Sequence, residues 1–112
     1  MNIDFPNKNA GFDIWVHDLQ LLGVGAPAGN KIIEECLEIA EMLINKNKSY
    51  GNSALDPIRV FSKADTKEQL YVRIDDKLNR LMKGTDYPGD NDIDDLIGYL
   101  ILLKIAKDKD VN

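Results

Sequence analysis

With a single cysteine, Cys36, the chain has no partner for an intrachain disulfide and too few thiols for a cysteine zinc cluster. A reducing compartment such as the cytoplasm suits it. Its single histidine, His17, stands far in sequence from the other polar clusters and reads as structural. Positive charge is also scarce: 14 Lys and Arg against 19 Asp and Glu give a net charge of -5. That argues against a general nucleic-acid binder, which carries a basic surface. It does not argue against a nucleotide held through a metal ion, because the metal supplies the positive charge. The longest apolar run, residues 96 to 103, is too short for a bilayer and is followed by Lys104 and Lys107, so no membrane partner is expected. Residues 1 to 10 lack the apolar core of a signal peptide and read as loose. No segment alternates as a half-buried strand does, and there is no internal repeat.

What is present is an ordinary globular composition, 44% hydrophobic and 29% charged over 112 residues, enough for one domain with a modest core. Residues 12 to 22 have the pattern of a short helix, with Ile14, Trp15, Leu19 and Leu22 apolar and Trp15 in a core or an interface. A breaker-rich loop follows, from Gly23 to Gly29. Asn30 is then a candidate N-cap for a helix over about 31 to 47, with Glu34 and Glu35 near its positive end. At about 100° per residue, Ile32, Cys36, Ile39, Ala40 and Leu43 share one side of that helix, Cys36 acting as a small apolar residue. Glu34, Glu38, Glu41 and Asn45 form the other side, and Glu35 lies between. Residues 46 to 58 read as a long loop, with 58 to 61 a short helical turn or an extended piece. Asp65 or Thr66 can cap a third helix, 67 to about 82, whose Leu70, Ile74, Leu78 and Leu81 make an apolar stripe. Arg73, Lys77 and Arg80 form a second stripe beside it. After a loop over 83 to 90, a last helix runs from about 92 to 107. The chain is therefore expected to be all-α, with three main helices and a short N-terminal one, divided into an N-terminal extension over 1–30 and a helical domain over 31–108.

Asp92 and Asp95 open that last, very apolar helix. Residues three apart share a helix face, so burial of the helix draws at least one of the two carboxylates inward. A buried carboxylate costs several kcal/mol, roughly, unless an Arg or Lys, a proton or a metal ion neutralises it. The upstream cluster Glu34-Glu35-Cys36-Leu37-Glu38 makes a divalent metal worth considering, since magnesium takes a few carboxylates plus waters and phosphates. The simpler reading of the upstream cluster is the solvated face of an amphipathic helix.

Three stretches carry a resemblance. They are Lys46-Asn47-Lys48-Ser49-Tyr50-Gly51-Asn52-Ser53, then Val72-Arg73-Ile74-Asp75-Asp76-Lys77-Leu78-Asn79-Arg80-Leu81, then Asp95-Leu96-Ile97-Gly98-Tyr99. In order and spacing the chain resembles, over roughly residues 34 to 106, the phage and bacterial family called nucleotide modification associated domain 1. That family is similar to the MazG-like all-α nucleoside triphosphate pyrophosphohydrolases. In the latter, a helix with Glu-Glu-x-x-Glu faces one with Glu-x-x-Asp, and their carboxylates hold magnesium for the triphosphate. Glu34-Glu35-Cys36-Leu37-Glu38 matches the first motif; Asp92-Ile93-Asp94-Asp95 matches the second with Asp in place of its leading Glu, a shorter reach that a water could bridge.

The resemblance implies a MazG-like helical bundle completed by oligomerisation, as a dimer or tetramer. It implies Mg2+ held by Glu35, Glu38, Asp92 and Asp95, with Glu35 and Glu38 as the catalytic carboxylates. Lys46, Tyr50, Asn52, Arg73, Lys77 and Arg80 are the candidate nucleotide contacts, all but Asn52 with a plainer alternative. The arginines and Lys77 could pair with Asp75, Asp76 or Glu38, Tyr50 could pack on its own loop, and Lys46 could be solvated. The expected function is magnesium-dependent nucleotide binding with hydrolysis of a nucleoside triphosphate to monophosphate and pyrophosphate. The alternative is a non-catalytic phage protein, in the host cytoplasm, that sequesters a nucleotide signal or binds a host defence protein.

Overall fold

A computed structural model describes residues 12–84 and 91–110, with side chains described over 16–84 and 91–108. The expectations for residues 1 to 10, for Ile14 and Trp15 as packed side chains, and for the loop over 85–90 lie outside these. The described residues form four helices and no strand: α1 (Phe12–Leu22), α2 (Gly29–Ser49), α3 (Thr66–Lys83) and α4 (Asp92–Asp110). The all-α expectation holds, and none of these helices is long and apolar enough to cross a membrane. The chain divides into two compact units, Met1–Ala40 and Glu41–Asn112, with the boundary inside α2.

In the first unit α1 ends in consecutive turns, with Gly23 N–H donating to the Leu19 carbonyl at 3.0 Å and Gly29 N–H to that of Ala26 at 3.0 Å. Here α2 starts one residue before the expected cap: Gly29 is already helical, and the Ala28 carbonyl accepts from Ile32 N–H at 2.9 Å. Asn30 therefore lies inside the helix, and no acidic residue falls in its first turn, so Glu34 and Glu35 sit beyond the strongest part of the dipole. Glycine at 29 has a local reason. A Cβ there would lie 2.6 Å from the Gly23 carbonyl oxygen and 2.9 Å from its Cα, a backbone approach that no side chain can flex to relieve. Cys36, expected on the apolar side, is exposed.

In the second unit α2 continues to Ser49, two residues past the expected end near 47 and into the stretch also read as the start of a long loop. It stops where the backbone turns left-handed, at Gly51 (φ 61°) and Asn52 (φ 63°). Glycine bears that conformation without cost and asparagine tolerates it. Asn52 is tied down by its N–H to the Asn47 carbonyl (3.0 Å) and by its side-chain oxygen, which accepts from Asn47 Nδ2 (2.8 Å). Residues 57 to 65 are irregular, so the suggested helical turn near 58 to 61 does not form. Asp65 caps α3 as expected, its carboxylate accepting from Glu68 N–H at 2.8 Å, and Gly84 closes the helix in the left-handed region.

Helix α3 packs on α4. The core lies where Leu70, Leu102 and Ala106 meet, with Leu55, Leu103 and Tyr99 against them. The inward stripe of α3 is not quite the one the apolar pattern gives. Leu70, Ile74 and Lys77 are buried, whereas Leu78 and Leu81 are exposed. Spacing of four and then three also describes one face, and at its third position stands a lysine.

Candidate functional site

The reason Lys77 points inward is on α4. Asn91 caps this helix, its side-chain oxygen accepting from Asp94 N–H at 3.1 Å, and Asp92, Asp94 and Asp95 follow in the first turn. Their negative charge is favourable there, at the positive end of the dipole. Burial nevertheless leaves the Asp92 side chain 3% exposed and that of Asp95 14% exposed. Lys77 Nζ lies 3.4 Å from Asp92 Oδ1 and 3.2 Å from Asp95 Oδ2. Lys46, reaching from α2, lies 2.8 Å from Asp95 Oδ1, and Arg80 Nη1 lies 3.7 Å from Asp92 Oδ1. Arg80 also meets Asp76 at 3.6 Å, one of the plainer pairings weighed above.

These ion pairs set the charge states. Burial is the strongest single influence on Asp95 and opposes its ionisation. The hydrogen bonds and charges of Lys46 and Lys77 together outweigh it, holding the carboxyl below its ordinary 3.8. The Lys46 ammonium is raised above the ordinary 10.5 chiefly by its hydrogen bond to Asp95. Burial works hardest against the Lys77 ammonium, yet Asp95 and Asp92 raise it on balance. A depressed carboxyl stabilises the fold above its unfolded value and loses that contribution as pH falls through the folded one; raised ammonium groups contribute below their unfolded values and lose it as pH climbs through the folded ones. The stability supplied by this network is thus expected to be level between about pH 5 and pH 9 and to decline below about pH 4 and above about pH 10.5. Denaturation midpoints across that range, for wild type and Asp95→Asn, would check it: the acid limb should be shallower in the variant.

Beside the network, and wholly within the second unit, a cleft of about 240 Å³ opens between the end of α2, the turn after it and the faces of α3 and α4. Its apolar lining comes from Met42, Leu43, Ala54 and Leu102, with Gly98 on α4 letting the Leu43 and Met42 side chains come close. Its polar lining is Lys46, Asn47, Tyr50, Ser53, Arg73 and Asp95. Tyr99 adds a second ring, and the Arg73 guanidinium lies 5.9 Å from that ring's centre, within cation–π range.

Of the residues expected to contact a nucleotide, the structure brings Lys46, Tyr50 and Arg73 together in this cleft. Lys77 is buried behind Asp95, Arg80 is engaged with Asp76 and Asp92, and Asn52 acts on Asn47. Asn47, Met42, Leu43, Gly98 and Leu102 were not singled out as site residues. Leu43, Lys46 and Asn47 recur at three and four along α2, and Tyr50 follows three residues on in the turn just after it, a spacing legible in the sequence.

Of the four expected magnesium ligands, Asp92 and Asp95 do converge, and what meets them is two ammonium groups and a guanidinium. Their oxygens are the donor type magnesium prefers. In this arrangement, however, cations already lie 2.8 to 3.7 Å from Oδ1 of each and Oδ2 of Asp95, so the pair does not fit a resident divalent ion. Glu35 and Glu38 are exposed residues of the first unit. Compared with protein-family models, curated proteins and solved structures, the chain matches none.

Proposed function

We propose that the cleft of the second unit binds a nucleotide, with the base against Tyr50 and Tyr99 and phosphate oxygens at Lys46 and Arg73. One observation carries this reading: an apolar-floored cleft of about 240 Å³ has two aromatic rings, a neutral amide and two cations around it. A flat base is bound by ring faces and an apolar wall, and Asn47 offers both a donor and an acceptor to its edge. Arginine suits phosphate through its planar fork, lysine as a point charge. Magnesium enters this proposal as the counter-ion that accompanies a triphosphate, not as an ion held beforehand.

Capture without turnover is the form this geometry favours. Among the described residues lining the cleft, Asp95 is the one carboxylate, and two lysines hold it ionised well below neutral pH. A carboxylate whose oxygens are each engaged by an ammonium group is a poor general base. Hydrolysis of a triphosphate, with Glu35 and Glu38 as catalytic carboxylates, rests on the family resemblance alone. Sequestering a nucleotide signal of a host defence system is the biological role that capture suits.

A panel of nucleotides with and without magnesium is expected to contain at least one that raises the melting temperature, by roughly 10 °C at a concentration about a hundredfold above its Kd. The same mixtures assayed for pyrophosphate separate the two forms: tight stoichiometric binding without release supports capture, and steady release supports the hydrolase. No shift with any nucleotide would overturn the proposal.

Homo-oligomerisation belongs to the same proposal. Ile93, Ile97, Leu100 and Ile105 leave much of α4 exposed and apolar, and Val72 and Met82 do so on α3. Helices apolar on several sides need neighbours on several sides. A solution mass at least twice the 12.6 kDa of one chain is expected by light scattering at micromolar concentration, and a mass of one chain would contradict it.

A further inference from the structure

Among the described residues lining the cleft, the one anion is the chain's own. Asp95 faces Lys46 at 2.8 Å through Oδ1 and Lys77 at 3.2 Å through Oδ2. Both contacts are charge-assisted, of the kind a phosphate oxygen would make to the same ammonium groups. The two lysines differ in what they can do. Lys77 is 10% exposed and also holds Asp92, so it is committed to joining α3 and α4. Lys46 is 47% exposed at the cleft, on a flexible stem of four carbons, and the partner seen for it is Asp95.

We propose that Asp95 is an internal competitor for the cleft's anion: it holds Lys46 in the ligand-free protein, and an entering phosphate must take Lys46 from it. This rests on the nucleotide reading above and deepens it, because it names a residue that sets affinity without needing to touch the ligand. Asp95 does so in two ways. It occupies the ammonium that would bind phosphate, and its own charge repels a phosphate placed beside it. Affinity is held below what Lys46 and Arg73 alone would give, and ligands that bring several phosphate oxygens are favoured over those that bring a single weak anion. The expected sign is the reverse of that for a carboxylate serving as a ligand for a metal or for the nucleotide itself.

Inorganic pyrophosphate in the presence of chelator is a suitable probe, titrated calorimetrically into wild type, Asp95→Asn and Asp95→Glu. Asp95→Asn is expected to bind about tenfold more tightly than wild type, equivalent to roughly 1.4 kcal/mol. Asp95→Glu, which keeps the charge, should stay within about threefold of wild type. In a Lys46→Gln background Asp95→Asn should give little gain, because the gain passes through Lys46. Asp95→Ser replaces Asp95→Asn if the latter loses its helical circular dichroism. Pyrophosphate binding that is unchanged or weaker in the neutral variant, while the nucleotide panel still raises the wild-type melting temperature, would overturn the competitor role and leave nucleotide binding standing. Failure of every variant to bind pyrophosphate, together with a silent nucleotide panel, would overturn both.

Discussion

Replacing Lys77 by methionine is expected to cost about 3 kcal/mol at neutral pH. The ammonium lost is 10% exposed and bridges Asp92 and Asp95, whose side chains are 3% and 14% exposed. Methionine retains most of the apolar stem, so lost packing contributes little and the effect isolates the charge. What remains is a nearly buried Asp92 with Arg80 at 3.7 Å, and Asp95 with Lys46. Removing one member of a buried pair costs about 3–5 kcal/mol because the other is left uncompensated, and the remaining cations put this case at the low end. The double variant Lys77→Met with Asp92→Leu should recover much of the loss, since a buried ion pair exchanged for apolar groups is often close to neutral. Urea denaturation midpoints decide it. A loss under about 1 kcal/mol for the single variant would mean that solvent screens the network as it does a surface pair. The comparison with Asp95→Asn is also informative: that change should cost less, because Asn can still accept from Lys46 and Lys77 keeps Asp92.

Leu70→Ala is expected to cost about 3 kcal/mol through the core. Leu70 is 1% exposed and forms the core cluster with Leu102 and Ala106, against which Leu43, Ala54, Leu55, Tyr99 and Leu103 pack. Truncation removes the transfer energy of the lost methyl and methylene groups and leaves a cavity that neighbours on two other helices and a turn fill only in part. Leu43, Ala54, Tyr99 and Leu102 also line the cleft, so nucleotide affinity should fall in this variant although Leu70 itself does not line it. Leu78→Ala is the control. It belongs to the same sequence stripe but is 43% exposed, and its cost should stay below about 1 kcal/mol. Equal losses for the two would show that α3 presents a different face from the one described.

Periodicity in the sequence was enough to place the first three helices, because a helix that buries one side must repeat its apolar residues at three and four whatever it packs against; α4 was legible instead as a continuous apolar run opened by aspartates. Local chemistry marked some ends equally well: Asp65 caps α3 through a hydrogen bond to a residue three positions away, an interaction within one turn. Local chemistry misled at α2. Asn30 looks like a cap, but the close approach of Gly23 and Gly29 starts the helix earlier, and the turn residues at Gly51 and Asn52 end it later than the polar stretch suggests. The sequence also showed that the aspartates opening α4 need a neutraliser, since burial of carboxylates in so apolar a segment carries a cost by itself. Which neutraliser comes was decided only in three dimensions. Lys77 lies 15 residues from Asp92, and Lys46 lies 49 from Asp95. Whether those distances close depends on which face α3 turns to α4 and on α2 running past Lys46. Lys77 and Leu78 are neighbours separated by about 100° around the helix, and the apolar pattern favours the leucine. Packing against one buried and one half-buried carboxylate favours the lysine, because the energy of an unpaired buried charge exceeds that of leaving one leucine half in water.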